Sequence, residues 1–254
     1  MIKSRLDVGI IALLLLYVPA AAQPSENQAQ VGADLSFYSK YIWRGMVWDE
    51  EPVLQPDLWM TVGRLTMTFW GSMDLTDSGG DFEGQFNEWD GYIDVDLGAL
   101  GPLTFGSGLS YLNFFAPSGV GSSTTEISAS AIVNIIGNPT LTAYWDIWQY
   151  HGVYANMSLS HDIAVGPSAL SLSLSAGWGD HRHNGISGAI ADGGLLDFQA
   201  GAAYPISLGA FLTLTPSIQY SALLQDDVRR YYDDSGISPD NWFFALNAAM
   251  WVGR

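Results

Sequence analysis

The chain has 254 residues, 48% of them hydrophobic and only 14% charged, and its 26 Asp+Glu against 9 Lys+Arg give a formal net charge of −17. That acidity excludes a nucleic-acid partner, because phosphate recognition needs basic patches. The absence of cysteine excludes disulfides and thiolate metal sites, and no cofactor motif stands out, so no cofactor is expected.

Residues 1–22 read as a secretory signal peptide. Lys3 and Arg5 form a basic start, Val8 to Val18 an apolar run, and Ala20-Ala21-Ala22 a small-residue cleavage site. The apolar run is shorter than the ~20 residues of a spanning helix, and no later stretch offers eighteen consecutive apolar residues. Gln23 to Gln30 (QPSENQAQ) is polar and is expected to form a short periplasmic tail.

From residue 31 to the end, the chain alternates. In the first run Val31, Ala33, Leu35, Phe37, Tyr41 and Trp43 fall on one parity, and Asp34, Ser36, Tyr38, Lys40 and Arg44 on the other. Period two over some thirteen residues marks a β-strand with one apolar and one polar face, long enough to cross a bilayer. After the acidic loop Asp49-Glu50-Glu51, Leu54, Leu58, Met60 and Val62 oppose Gln55, Asp57, Trp59 and Thr61. Gly63-Arg64 turns the chain into Leu65, Met67, Phe69 and Met73 against Thr66, Thr68, Trp70, Ser72 and Asp74.

A Gly-rich acidic loop, 76–87, leads to Trp89, Ile93, Val95 and Leu97 against Glu88, Asp90, Tyr92, Asp94 and Asp96. Further runs follow near 103–111, 126–134 (where Glu126 and Ser128 face one way), 141–148, 153–160 and 168–179. The run at 141–148 sets Leu141, Ala143, Trp145 and Ile147 against Thr142, Tyr144, Asp146 and Trp148. After a loop carrying His181-Arg182-His183, runs at 196–204, 212–220 and 242–252 complete the chain, with residues 225–241 as the longest loop.

The fold class is therefore all-β: a transmembrane antiparallel up-and-down β-barrel of about 12 strands over residues 31–254. Even strand number puts both termini on one side, and short turns near 63, 98, 137, 164 and 206 alternate with mostly longer, more polar loops, the short link near 151 excepted. A soluble β-sandwich or lipocalin-like barrel also alternates, but has shorter strands and buries its apolar parity inside. The pattern implies export through the periplasm to the outer membrane of a Gram-negative bacterium, with lipid and lipopolysaccharide as surroundings.

Ser39 to Leu58, SKYIWRGMVWDEEPVLQPDL, resembles the opening of the TorF-type porin family. The matching features are an aromatic-x-x-Arg-Gly ending (Tyr41, Arg44-Gly45) and a Pro-x-x-Gln element (Pro52 to Gln55), with Trp70-Gly71 and Asn87-Glu88-Trp89-Asp90 further on. The resemblance covers the N-terminal third and implies an outer-membrane porin-like barrel. Such barrels usually finish on an aromatic residue, whereas this chain ends Trp251-Val-Gly-Arg254.

The polar parity should face the lumen. It carries Asp34, Asp57, Asp74, Glu88, Asp90, Asp94 and Asp146, with Lys40 and Arg44 as the few cations, and the aromatic residues Tyr38, Trp59, Trp70, Tyr92, Tyr144, Trp148 and Tyr154. Carboxylates along a narrow pore concentrate cations and repel anions. The expected function is passive diffusion of small hydrophilic solutes, cations preferred. Two other readings stay open: interior charges paired into a plugged structural barrel, or a barrel enzyme of the phospholipase A kind. The enzyme would need a serine beside a histidine, and His151 is the one candidate at an outer strand end. The acidic outer loops lack the spacing of a Ca²⁺ loop, and His181-x-His183 has no third ligand, so no metal site is expected.

Overall fold

A computed structural model describes residues 29–76, 83–115 and 121–253; the signal peptide, nearly all of the expected tail, and Asp77 and Asp81 of the acidic loop lie outside them. Strand β1 (Ala29–Tyr38) starts two residues before the alternation does. It is followed by a short hairpin, β2 (Tyr41–Trp43) and β3 (Met46–Asp49), and then by β4 (Val53–Val62), β5 (Leu65–Asp74), β6 (Phe86–Leu100), β7 (Leu103–Phe114) and β8 (Ser122–Val133). The second half comprises β9 (Thr140–Asp146), β10 (Val153–Val165), β11 (Ser168–Gly179), helix α1 (His181–Asn184), β12 (Gly194–Ala203), the two-residue β13 (Ile206–Ser207), β14 (Leu212–Leu223), helix α2 (Asp226–Asp234) and β15 (Asp240–Gly253).

Leaving out β2, β3 and β13, twelve antiparallel strands pair in sequence order, and β1 closes the ring by pairing with both β4 and β15. Closure removes every sheet edge, the condition for a β-structure to span a bilayer. The register sets which parity faces out. Asp34 lies opposite Asp57 and Ala249, and Leu58 opposite Phe69, so like faces meet like all round the ring. The outward parity is apolar and exposed at Leu35, Leu58, Phe69, Ile93, Leu141, Met157, Leu174 and Leu246. This is a lipid-facing band. Leu174→Arg, in the middle of β11, is expected to cost about 2–4 kcal/mol of stability near the bilayer midplane. Urea unfolding in lipid vesicles, followed by tryptophan fluorescence, measures it; a loss under ~1 kcal/mol would mean that this face does not meet hydrocarbon.

Tight turns join the strands at one end. Gly63, Gly101 and Gly166 take positive φ (59°, 61° and 61°), where a side chain would be strained. The longer connections sit at the other end, where α1 and α2 lie in stretches that the sequence reads only as loops. The side chain of Asp180 caps α1, accepting from the His183 N–H, and that of Gln225 caps α2 through the Val228 N–H.

Candidate functional site

The first long run does not continue to Arg44 as one strand. It breaks at Ser39-Lys40, and Tyr41 to Asp49 fold as a separate hairpin. Tyr41 and Trp43, placed by their parity on the lipid face, are instead buried, together with Ile42, Arg44, Met46 and Val47. Alternation misleads here because the hairpin turns inward and packs on both of its faces.

At the tip, Arg44 (φ 48°) and Gly45 (φ 80°) form the two-residue turn between Trp43 and Met46. Positive φ at both central positions is the type I′ signature. Glycine adopts it freely, but arginine does so at a cost of order 1 kcal/mol or more, which its surroundings must offset. Those surroundings lie across the barrel. Arg44 Nη1 and Nη2 donate to Glu126 Oε1 and Oε2 at 2.9 and 2.8 Å, a bidentate pair with both side chains at most 3% exposed. The guanidinium carbon sits 4.4 Å from the ring centroids of Trp43, Tyr144 and Tyr154. Planar guanidinium suits both bidentate pairing and stacking.

Glu126, Tyr144 and Tyr154 stand on β8, β9 and β10. In the ring these strands lie opposite the β1–β4 junction from which the hairpin emerges, so the hairpin crosses the full bore. Other contacts fix it along the way. Trp43 packs against His183 at 5.5 Å and Tyr41 against Trp70 at 6.0 Å, while Trp48 stacks on Phe114 at 5.4 Å. Above it, Val228 and Tyr232 of α2 are buried, and the Tyr232 hydroxyl donates to the Val47 carbonyl at 3.4 Å. His183 packs on Tyr154 at 4.9 Å, and its Nδ1 lies 3.5 Å from Arg44 Nη1. Full burial and the neighbouring guanidinium hold this imidazole well below the usual histidine range, so it is neutral.

The carboxylates and aromatic residues of the inward parity divide by height. Near the outer end Glu88, Asp90, Glu126, Asp146 and Asp197 are each about 2% exposed or less, and Tyr38 and Asp74 are buried beside them. Asp146 is occupied locally: its carboxylate accepts the N–H groups of Trp148, Gln149 and Tyr150, closing the turn after β9. Asp74 does the same for the Thr76 N–H. Asp90 accepts from the Tyr92 hydroxyl at 2.8 Å. Lys40 lies at the outer rim, its ammonium 3.1 Å from Asn241 and 4.0 Å from Glu50.

Nearer the tight turns, inward side chains are less covered. Asp34 accepts from Trp59 Nε1 at 3.0 Å beside Asp57, while inward-facing Asp94, Asp96 and Ser173 are exposed. Trp148 corrects the sequence expectation. β9 ends at Asp146, and Trp148 is 62% exposed on the outer turn rather than on the wall. The sequence does not place Glu126 or Asp197 among the bore residues, and it weighs His183 only as a metal ligand. Glu126 sits on the inward parity of its run, a signal that was present, whereas nothing local marks His183 as a residue that reaches the bore. His151 is exposed on the outer turn, with φ 54°.

Among solved structures, the chain is similar to the COG4313 outer membrane channel from Pseudomonas putida F1, with a TM-score of 0.50 at 13% identity, covering 92% of this chain and 99% of that one. The fold is that of an outer-membrane β-barrel. Weaker similarity extends to the translocator domain of the autotransporter NalP from Neisseria meningitidis (TM-score 0.42, 8% identity, 91% and 89% covered). Salmonella typhi OmpF, in a complex with daunomycin, follows (0.37, 9%, 89% and 98%). No family model matches the chain, and no curated protein does. For this outer-membrane barrel the apolar outer band and the closed ring carry the placement in the membrane; its function must be argued from the bore.

Proposed function

We propose that this chain is a porin-like outer-membrane channel of the TorF type, passing small hydrophilic solutes with cations preferred. The observation that carries this reading is the composition of the bore. Asp34, Asp57, Asp94 and Asp96 stand towards its tight-turn end along with Ser, Thr and Asn side chains, and the one arginine that enters the bore from the first loop is neutralised by Glu126. Carboxylates in a confined bore raise the local cation concentration.

The test is a planar-bilayer recording of the refolded protein under a KCl gradient. Discrete steps with a cation-selective reversal potential are expected. Asp94→Asn should move that potential measurably towards zero, because Asp94 is exposed on the inward parity. An anion-selective potential would overturn the electrostatic reading.

One observation favours a second reading, a closed structural barrel: the first-loop hairpin fills the outer part of the bore. Under it no steps appear in KCl. We propose no enzymatic role. The exposed His151 of the outer turn has no serine hydroxyl bonded to it among the described residues, and His151→Ala is expected to leave conductance unchanged.

A further inference from the structure

We propose that the wall of the bore carries a binding site for a guanidinium-bearing solute, and that Arg44 occupies it as a built-in stand-in for that solute. This presupposes the channel proposed above and names the class of solute that opens it. Glu126, Tyr144 and Tyr154 belong to β8, β9 and β10, which are fixed in the ring by paired neighbours on both sides. Only Trp43, the third ring of the cage, travels with the hairpin. If the hairpin swings out, a carboxylate and two aromatic faces remain, spaced for a planar cation: both Glu126 oxygens within 2.9 Å of a guanidinium nitrogen and both tyrosine centroids 4.4 Å from its carbon.

The occupant is incompletely held. Arg44 Nε is buried and finds no acceptor among the described residues, and the same is true of the Trp43 indole N–H and of His183 Nε2 beside it. Arg44 also sits at a positive φ that arginine disfavours. A free solute would make the two Glu126 bonds and both ring contacts without that backbone cost. Attraction into an acidic barrel of net charge −17 would raise its local concentration. A ligand favours the open state only in so far as it binds that state better, and here the closed state has the site already filled.

Two measurements decide it. In the first, single-channel recordings of the full chain are made with L-arginine amide or its neutral-side-chain isostere L-citrulline amide in the bath. Arginine amide is expected to raise open probability about tenfold or more in a saturable manner, and citrulline amide to leave it unchanged. Glu126→Gln should abolish the difference between the two. In the second, calorimetry on Arg44→Ala, in which the site is vacated without removing the loop, should show binding of arginine amide and not of citrulline amide. Equal binding of the two amides to Arg44→Ala, or equal effects of the two on a current that the full chain does carry, overturns the proposal. Binding to Arg44→Ala with no current under any condition retains the site and overturns the channel reading instead. Should Arg44→Ala fail to give a heat-modifiable band, the recordings on the full chain decide alone.

Discussion

Glu126→Ala is expected to destabilise the barrel by about 3–5 kcal/mol, because it leaves a buried guanidinium without its counter-charge. Arg44 and Glu126 are 2% and 3% exposed as side chains and share two hydrogen bonds at 2.8 and 2.9 Å. Neither can recover water without moving the hairpin. The rings of Trp43, Tyr144 and Tyr154 soften the loss only in part, since a cation–π contact contributes about 0.5–2 kcal/mol. Arg44→Met leaves the opposite orphan, a buried carboxylate, and should also destabilise. The double variant, with both charges gone and an apolar chain among the rings, should recover much of the deficit. Urea unfolding of the four proteins in vesicles gives the coupling directly. Additive losses, or a Glu126→Ala cost under ~1 kcal/mol, would show that the pair is solvated and that the hairpin is not anchored there.

The second large effect is one of pH. His183 is buried beside Arg44, and both burial and the positive charge hold it neutral in the folded protein, well below 6.5. In the unfolded chain it titrates normally, at about 6.5. Above that value neither state binds the proton, and the full contribution is present. As pH falls below it, the unfolded state takes up a proton that the folded state refuses, and stability declines by about 1.4 kcal/mol per pH unit until the folded group titrates. The decline ends where the buried imidazole itself takes up the proton. His183→Phe keeps a ring against Trp43 and Tyr154 and removes the titration. The difference between wild-type and His183→Phe stability, measured from pH 7 to pH 4.5, should follow that slope. A flat difference would mean that His183 titrates in the folded barrel as it does in the unfolded chain and is not shielded beside Arg44.

The wall was legible in the sequence and its contents were not. Alternation in runs such as Leu170 to Trp178, or Asp90 to Leu97, needs only the period of a strand, and the exposure of Leu172, Leu174, Trp178, Ile93 and Leu97 shows which parity turns outward. The same period puts Asp34, Asp57 and Asp94 on one parity, Asp34 opposite Asp57 and Asp94 opposite Gly108. The rule fails wherever the chain leaves the wall. Tyr41 and Trp43 keep the period of β1, but Ser39-Lys40 breaks the ladder, and the residues beyond it are buried on both faces. Trp148 keeps the period of β9, but Asp146 captures the N–H groups of Trp148, Gln149 and Tyr150 and ends the strand. His183 meets Arg44 across 139 positions of chain, a pairing that no local pattern encodes. The Tyr-x-x-Arg-Gly element lies at the tip of the inward hairpin, so the most specific stretch of sequence proves to be the part of the loop that reaches furthest into the bore.

The seam between the first and last strands sets an order of assembly. Asp34 pairs with Ala249, more than two hundred positions away, so the ring can close only when the last strand arrives. The Arg44–Glu126 pair spans 82 positions and needs only the first half of the wall. The hairpin can therefore be fastened to an unfinished, still curling sheet before the cylinder is sealed. Loops folded in this way need not be threaded through a narrow mouth afterwards, and the part that fills the bore helps set the curvature of the wall that will enclose it.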